Sequence, residues 1–352
     1  MFKNLFNRFS KDIAIDLGTS KTLMLIKDKG VVIHEASVVA VNKKTGQIIE
    51  VGREAVKMLG KTPPHILIIQ PLVDGVISDF EVTEKMIKYF FDKIARDNTF
   101  FSPRPRAIIG IPLDVTEVEK KAVEDAVLFA GAREVRLVEN VIAAAIGARL
   151  PIQDATGNMI VNLGAGVTEI AVISLSGVVS KRTLRIAGNE LDQDIVLNTR
   201  NEHNLLIGEK IAEDIKLEYS KMIHSKEKAE YDLKIRGRDL LTGLPKEVPI
   251  SCEQITKFLE RSVRSIVDGV KTTLEITPPE LIADIYQRGL VLVGGGSLLR
   301  GLDTIIAQNI KIPVRIIDDP ITCAVRGMGI ILEDEKLLHE VIVPTMRDEE
   351  RS

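Results

Sequence analysis

At 352 residues, 45% of them apolar and only 4% aromatic, the chain is long enough for two well-buried aliphatic α/β cores. A net charge of −3, with acids and bases intermixed, leaves no basic stripe and argues against a nucleic-acid partner. The 2 cysteines, Cys252 and Cys323, have no histidine pair near them, which argues against a disulfide framework or a zinc site and fits a reducing cytoplasm.

The first residues carry Phe2, Leu5, Phe6 and Phe9 at i, i+3, i+4 and i+7, with Lys3, Arg8 and Lys11 around them. That spacing predicts either a short amphipathic helix on an anionic membrane face or one packed on its own domain. A single such helix would bind lipid weakly, so many copies would have to act together. No uninterrupted apolar core of a signal peptide stands there, and runs such as 141–150 break long before the roughly 20 residues of a membrane span. The chain is therefore expected neither to span a membrane nor to be exported.

Strand-like runs at 13–15, 22–26 and 31–33, punctuated by Gly18 and Gly30, predict a meander of hairpins. Residues 34–74, with Pro63-Pro64 and Pro71 among mixed short elements, read as an insertion. Gly60-Lys61-Thr62 within it is no P-loop: Ala55 stands where the leading glycine is required, and Pro63-Pro64 forbids the following helix. Helical spacing returns over 82–95. Phe100-Phe101 sit in a Pro- and Arg-flanked loop, as an exposed apolar tip or an ordinary buried pair. Residues 106–111 form a short buried-type strand ended by Pro112, a charged helix follows over 115–131, and Asn140 is placed to cap a small-residue helix beginning at Val141.

Val161-Asn162-Leu163-Gly164-Ala165-Gly166-Val167-Thr168 then echoes Ile15-Asp16-Leu17-Gly18-Thr19-Ser20-Lys21-Thr22, and Gly177-Val178-Val179 echoes Gly30-Val31-Val32. The second meander should copy the first. Residues 182–250 read as a second, charged insertion, helical over 209–221 and turn-rich over 236–249. An apolar strand from Val291 runs into Gly294-Gly295-Gly296-Ser297, after which 298–308 read as a helix. Strand and helix alternate, as in an α/β fold.

A strand that turns sharply at glycine presents successive backbone N–H groups with no Cβ in the way, the geometry that cradles phosphate oxygens. Gly18, Thr19, Ser20 and Lys21 form one such candidate turn and Gly164, Ala165 and Gly166 the other. One turn alone would be equally well a tight hairpin; two copies in matching contexts point to phosphate. Asp16, repelled by phosphate, would hold magnesium through water. Gly294, Gly295, Gly296 and Ser297 would let an adenine lie on bare backbone. Glu213 and Lys216, three apart on one helix face, would contact a ribose or simply pair with each other.

These turns, the LVGGGSLLRGL run from Leu292 to Leu302 and the small residues 143–147 resemble the actin-like ATPase superfamily and, within it, the MreB family of bacterial actin homologues. The likeness extends to Arg104-Pro105-Arg106, Ala187-Gly188-Asn189-Glu190, Glu213 with Lys216, and Asp319-Pro320-Ile321-Thr322. It implies duplicated ribonuclease-H-like domains with two inserted subdomains: 1–33, 75–145 and 325–352 as subdomain IA, 34–74 as IB, 146–181 and 251–324 as IIA, and 182–250 as IIB. It also implies ATP with Mg2+ at the base of a central cleft, with Gly188 and Asn189 among the nucleotide contacts and Asp16 and Asn162 at the metal. The family further implies protofilaments on the inner membrane face, attached through residues 1–11 and Phe100-Phe101.

The departures sit at the hydrolytic centre. Where the family has Glu-Glu-Pro, this chain has Glu139-Asn140-Val141, and Asn162, Ala165 and Val167 interrupt the Asp-Ile/Leu-Gly-Gly-Gly-Thr-Thr pattern. Asn140 and Val167 thus stand where the resemblance puts the water-activating Glu and Thr. An amide accepts no proton at neutral pH, and loss of a general base costs about 10²–10⁴-fold in rate. Glu139 could substitute only if its side chain turned to the cleft, against the alternation of a strand. The expected protein is a membrane-associated, cytoplasmic filament former that hydrolyses ATP slowly, governs cell shape or motility, and works with paralogous cytoskeletal partners. Rival readings are a fully active family ATPase, a small-molecule kinase, for which no motif position offers a carboxylate poised at a substrate hydroxyl, and a heat-shock chaperone ATPase, which would need a further domain after Gly329.

Overall fold

The computed structural model describes residues 12–97, 104–222 and 233–345. The membrane candidates Phe2, Leu5, Phe6, Phe9, Phe100 and Phe101 lie outside them. No helix among the described residues is long and apolar enough to cross a membrane.

The first half opens with β1 (Ile13–Leu17), β2 (Lys21–Ile26) and β3 (Gly30–Ala36). Then come β4 (Val39–Asn42), β5 (Ile48–Val51), α1 (Arg53–Lys57), β6 (Ile66–Ile69), β7 (Leu72–Val73) and β8 (Val76–Ile77). It closes with α2 (Phe80–Asp97), β9 (Arg106–Ile111), α3 (Glu117–Phe129) and β10 (Glu134–Glu139), and α4 (Asn140–Gly147) leads away. The second half repeats the plan with β11 (Asn158–Leu163), β12 (Thr168–Ser174) and β13 (Gly177–Leu184), then α5 (Gly188–His203), β14 (Leu205–Leu206), α6 (Glu209–Met222), β15 (Leu233–Asp239) and β16 (Pro245–Ile250). It ends with α7 (Cys252–Glu275), α8 (Pro279–Arg288), β17 (Leu290–Val293), α9 (Leu302–Ile310), β18 (Val314–Ile316), α10 (Cys323–Glu333), α11 (Glu335–Val341) and β19 (Ile342–Val343).

The duplication read in the sequence is a duplication of sheets. One has the order β19-β10-β9-β1-β2-β3 and the other β13-β12-β11-β17-β18. In each, a three-stranded antiparallel meander is extended by two parallel strands: β1 pairs parallel with β9 and β9 with β10, as β11 does with β17 and β17 with β18. Parallel strands require crossover helices, which cover the faces and explain the apolar runs at 107–111 and 290–293. The two insertions fold as small sheets, β5-β4-β6 and β14-β15-β16.

Three expectations are corrected. The stretch 236–249 is a regular β15–β16 hairpin, because Leu233, Ile235, Val248 and Ile250 alternate inward against the second core. Residues 298–308 are not one helix: a 3₁₀ turn over Gly295–Leu298 stops at Leu299, and α9 starts only after Gly301, which sits at φ 79°. Asn140 is not a cap. Helix α4 already includes it, Glu139 is the cap residue, and no side chain bonds the free amides there. By contrast α3 begins in a capping box between Thr116 and Glu119, and α7 in one between Ser251 and Gln254.

Each half has its own aliphatic core. A third cluster, which includes Ala14, Ile108, Ile160, Ala171, Val291 and Met328, joins the two sheets through α4 and α10. These two helices cross with backbones in contact. A Cβ on Gly147 would collide with the Cys323 carbonyl, and one on Gly327 with the Ala143 carbonyl. Both obstacles are backbone, so neither can swing aside. Gly327→Ala should therefore destabilise the fold by about 1–3 kcal/mol, whereas Gly208→Ala, with nothing within 4 Å, should stay within about 0.5 kcal/mol of the parent; urea denaturation of the three proteins checks this.

Candidate functional site

The β1–β2 and β11–β12 turns close with the same bond. Gly18 N–H donates to Lys21 O at 3.1 Å, and Gly164 N–H donates to Val167 O at 2.9 Å. A Cβ would approach those carbonyls to 2.7 and 3.1 Å, so the first turn excludes a side chain and the second leaves little room for one. They face each other: a Cβ on Gly166 would stand 2.6 Å from Thr19 Oγ1 and 2.9 Å from Asp74 Cα. Thr19 Oγ1 in turn accepts the Gly75 N–H at 2.9 Å. Backbone approaching backbone forms the floor of a cleft of about 270 Å³, the size of a small-ligand site.

Nearly every residue singled out in the sequence lines this cleft: Asp16, the two turns, Asn140, Asn162, Val167, Gly188, Asn189, Glu213, Lys216 and Gly294 to Gly296. Ser297 does not. It is buried, its hydroxyl donates to Gly294 O at 2.7 Å, and it shapes the glycine turn from behind. Gly294 holds φ 82°, a conformation that favours glycine. Glu139 is also off the cleft. Burial raises its pKa, while Lys181 and Lys120 lower it.

Glu213 and Lys216 do not pair with each other. Glu213 takes Lys210 at 2.9 Å, and Lys216 Nζ donates to Asp192 at 2.8 Å and to Gly188 O at 2.7 Å. Lys216 thereby fixes the start of α5, which also docks on the second turn through Gly188 N–H to Gly164 O and Asn189 N–H to Ala165 O, at 3.1 and 2.8 Å. The first two amides of α5 are thus satisfied by the turn's carbonyls, and the helix N-terminus is fixed against the glycine turn.

Burial pushes Asp16 up to about 6, the behaviour of a carboxylate that lacks a counter-charge. Its place beside the two turns suits a divalent cation that keeps most of its water, as Mg2+ does; Asn162, across the cleft, offers a neutral oxygen. Among the described residues no group of three or more Asp, Glu, His or Cys is placed to hold a metal ion. Asn140 lines the cleft, but its Oδ1 is buried against Gly110 with no hydrogen-bond partner.

Two site residues escaped the sequence reading. Glu169 lines the cleft, is 1% exposed, and is pushed up to about 7 by burial, with Glu139 and Asp16 adding to the rise and its bonds to Leu113 and Asn162 opposing it. The available signal was a single acid inside an otherwise apolar strand, Thr168–Ser174. Asp192 is pushed up to about 6 by burial, which outweighs the pairing with Lys216, and its Oδ1 has no partner. Only its spacing from Gly188 on the same helix could have marked it.

Two α/β halves of one topology, clasping a cleft floored by paired glycine turns, define the actin-like nucleotide-binding fold. The family model described as MreB/Mbl protein matches residues 10–340. The cell shape-determining protein Mbl of Bacillus cereus is 44% identical over 326 residues, 93% of this chain and 97% of that protein. The cell shape-determining protein MreB of Escherichia coli is 43% identical over 337 residues, 95% and 96% of the two chains. Among solved structures, MreB 5 of Spiroplasma citri bound to AMPPNP is 36% identical over 92% of this chain and 96% of that one, with a TM-score of 0.85. A MamK double helical filament, at 24% identity, a TM-score of 0.76, and 92% and 99% coverage, shares the fold. The chain belongs to the MreB/Mbl family.

The raised Asp192 has a sign that can be worked out. Its folded pKa lies above the unfolded value, so its contribution to stability is full below about pH 4 and is lost as pH rises through about 6. The difference in unfolding free energy between the parent and Asp192→Asn should therefore fall by about 2 kcal/mol from pH 4 to pH 7. Denaturation of the two proteins across that range measures it, and the subtraction removes the other buried carboxyls.

Proposed function

We propose that this chain binds ATP with Mg2+ in the cleft, assembles with copies of itself into filaments, and hydrolyses the nucleotide slowly. The observation that carries the reading is the meeting of Asp16, Asn140 and Val167 between the two phosphate turns. ATP phosphates would take the amides of Thr19 to Lys21 and of Ala165 and Gly166, the ribose and base would lie between Lys216 and Gly294 to Gly296, and Asp16 would hold the cation's water. The relatives are cell shape-determining proteins, the S. citri structures are bound to ADP and AMPPNP, and the MamK structure is a filament; all support a cytoskeletal role of this kind. The four subdomains take the limits given above. Attachment to the anionic inner membrane face would use residues 1–11 and Phe100-Phe101, and paralogous filament proteins are the natural partners.

Slow hydrolysis follows from what faces the water. The amide of Asn140 accepts hydrogen bonds but not protons, and Val167 has no hydroxyl. Full activity would need another base. Glu169 is a buried carboxyl of the cleft, but its two oxygens already accept from Leu113 N–H and Asn162 Nδ2. Asn140→Glu with Val167→Thr should raise steady-state phosphate release by about 10²-fold or more while leaving nucleotide-dependent pelleting intact. A parent enzyme already as fast as the double variant would end the slow-hydrolysis reading, and absence of any pellet with ATP would end the filament reading.

A further inference from the structure

The two halves differ at one register position. In β1–β2 the partner of Asp16 is Leu23; in β11–β12 the partner of Asn162 is Glu169. A carboxylate such as Asp16 presents an oxygen whichever way it turns, so an apolar partner suffices. An amide has an acceptor end and a donor end, and its use at a cation depends on which one faces the cleft. Asn162 Nδ2 donates to Glu169 Oε2 at 3.0 Å, and Oε1 accepts the Leu113 N–H, so both carboxyl oxygens serve as acceptors. The amide oxygen is thereby turned the other way: it lies 2.8 Å from the point where a Cβ on Gly294 would stand, on the cleft wall.

Glu169 is itself immobilised. It is 1% exposed, and its Oε1 accepts the Leu113 N–H at 2.9 Å from the opposite half of the molecule. Leu113 is held in place by Lys181, which donates to its carbonyl at 3.3 Å and pairs with Asp114 at 3.0 Å. Strands β12 and β13 thus grip the first half's loop by both backbone groups of one residue, and the Glu169 carboxyl has a fixed direction.

We propose that Glu169 is a positioning residue that sets the Asn162 amide oxygen-first toward the cation of a bound nucleotide. The inference rests on the reading of the cleft as a Mg-ATP site. Replacing one acceptor oxygen of Glu169 by a donor reverses the pair: in Glu169→Gln the side-chain oxygen keeps the Leu113 N–H, its NH2 faces Asn162, and the Asn162 amide must turn its own NH2 into the cleft. Asn162→Asp alone sets two carboxylates at hydrogen-bond distance. The double change restores complementarity, because the glutamine NH2 donates to the aspartate and an oxygen again faces the cation.

The test is equilibrium binding of a fluorescent ATP analogue to the purified full-length chain, titrated with MgCl2 and repeated in EDTA. Glu169→Gln should raise the Mg2+ concentration for half-saturation about tenfold or more and leave binding in EDTA within about threefold, a split that general loosening of the fold would not give. Asn162→Ala, which removes the oriented oxygen and leaves Glu169 on Leu113, should show the same rise and keeps the question open to test if Glu169→Gln does not fold. Asn162→Asp/Glu169→Gln should return to within about threefold of the parent. An unchanged Mg2+ requirement in Glu169→Gln or Asn162→Ala, or a double variant no better than Glu169→Gln, overturns the proposal and leaves the nucleotide site standing; a parent that binds no ATP overturns both.

Discussion

The close crossing of α4 and α10 is the constraint on which the rest of the molecule depends. Gly147 and Gly327 let the two backbones touch, and Cys323 Sγ seals the seam by donating to Ala144 O at 3.1 Å. Burial raises that thiol to about 11, so it stays protonated and able to donate. Helix α4 leaves the first sheet from β10 and leads to β11, while α10 packs against β1, β2 and β9. Their separation therefore sets how near the ends of the two sheets come. At this separation Gly166 presses on Thr19 and on the Asp74 backbone, and the two glycine turns close a single floor. Interiors are packed too tightly to absorb an added methyl at such a crossing without moving whole elements. The cleft is thus built by converging backbones, and the side chains within it are free to vary.

They have varied between the copies. The turn bond is the same in both halves, yet Asp16 opposite Leu23 has become Asn162 opposite Glu169. The exchange keeps one acid in the second pair but moves it to the neighbouring strand. There it reaches Leu113, so the acid of the second copy joins the halves, while that of the first copy faces the cleft without a counter-charge. A buried carboxyl with two hydrogen bonds and an amide partner is costly to strand and stable when satisfied. The raised values of both Asp16 and Glu169 record the same low-dielectric floor.

Most of this was legible in the chain. The repeat of Ile15 to Thr22 at Val161 to Thr168 foretold both meanders and both turns, because a glycine turn between strands leaves a local signal and burial of a strand leaves an apolar run. The MreB-like motifs marked nearly all of the cleft. What could not be read were facts of partner and direction. Asn140 reads as a cap because Asn is a good cap in general, but the strand delivers Glu139 to that position, and Asn140 is turned inward among buried neighbours beside Gly110. Lys216 reads as a partner for Glu213 along the helix, yet Asp192 on the adjoining helix is deeper and takes it. Glu169 was hidden because its two partners, Leu113 and Asn162, come from different parts of the chain. Strand boundaries at 233–250 were missed where short apolar alternation is interrupted by Gly237 and charged neighbours.

Asn140 bears on how the proposed nucleotide cycle would run. It brings an amide where the resemblance puts a carboxylate, and its Oδ1 is turned inward against Gly110. An amide takes no proton at neutral pH, so this residue would offer an attacking water nowhere to leave one. Val167 compounds this, since two methyl groups replace a hydroxyl that would have held the same water from a second side and fixed its line of attack. On the proposed reading, filling the cleft would draw on the glycine turns, Asp16 and the oriented Asn162, none of which depends on Asn140 or Val167. Binding and hydrolysis would then fall to different residues, and the departures of this chain sit in the second set, so a clamp of that kind would fill with ATP and reset slowly by chemistry.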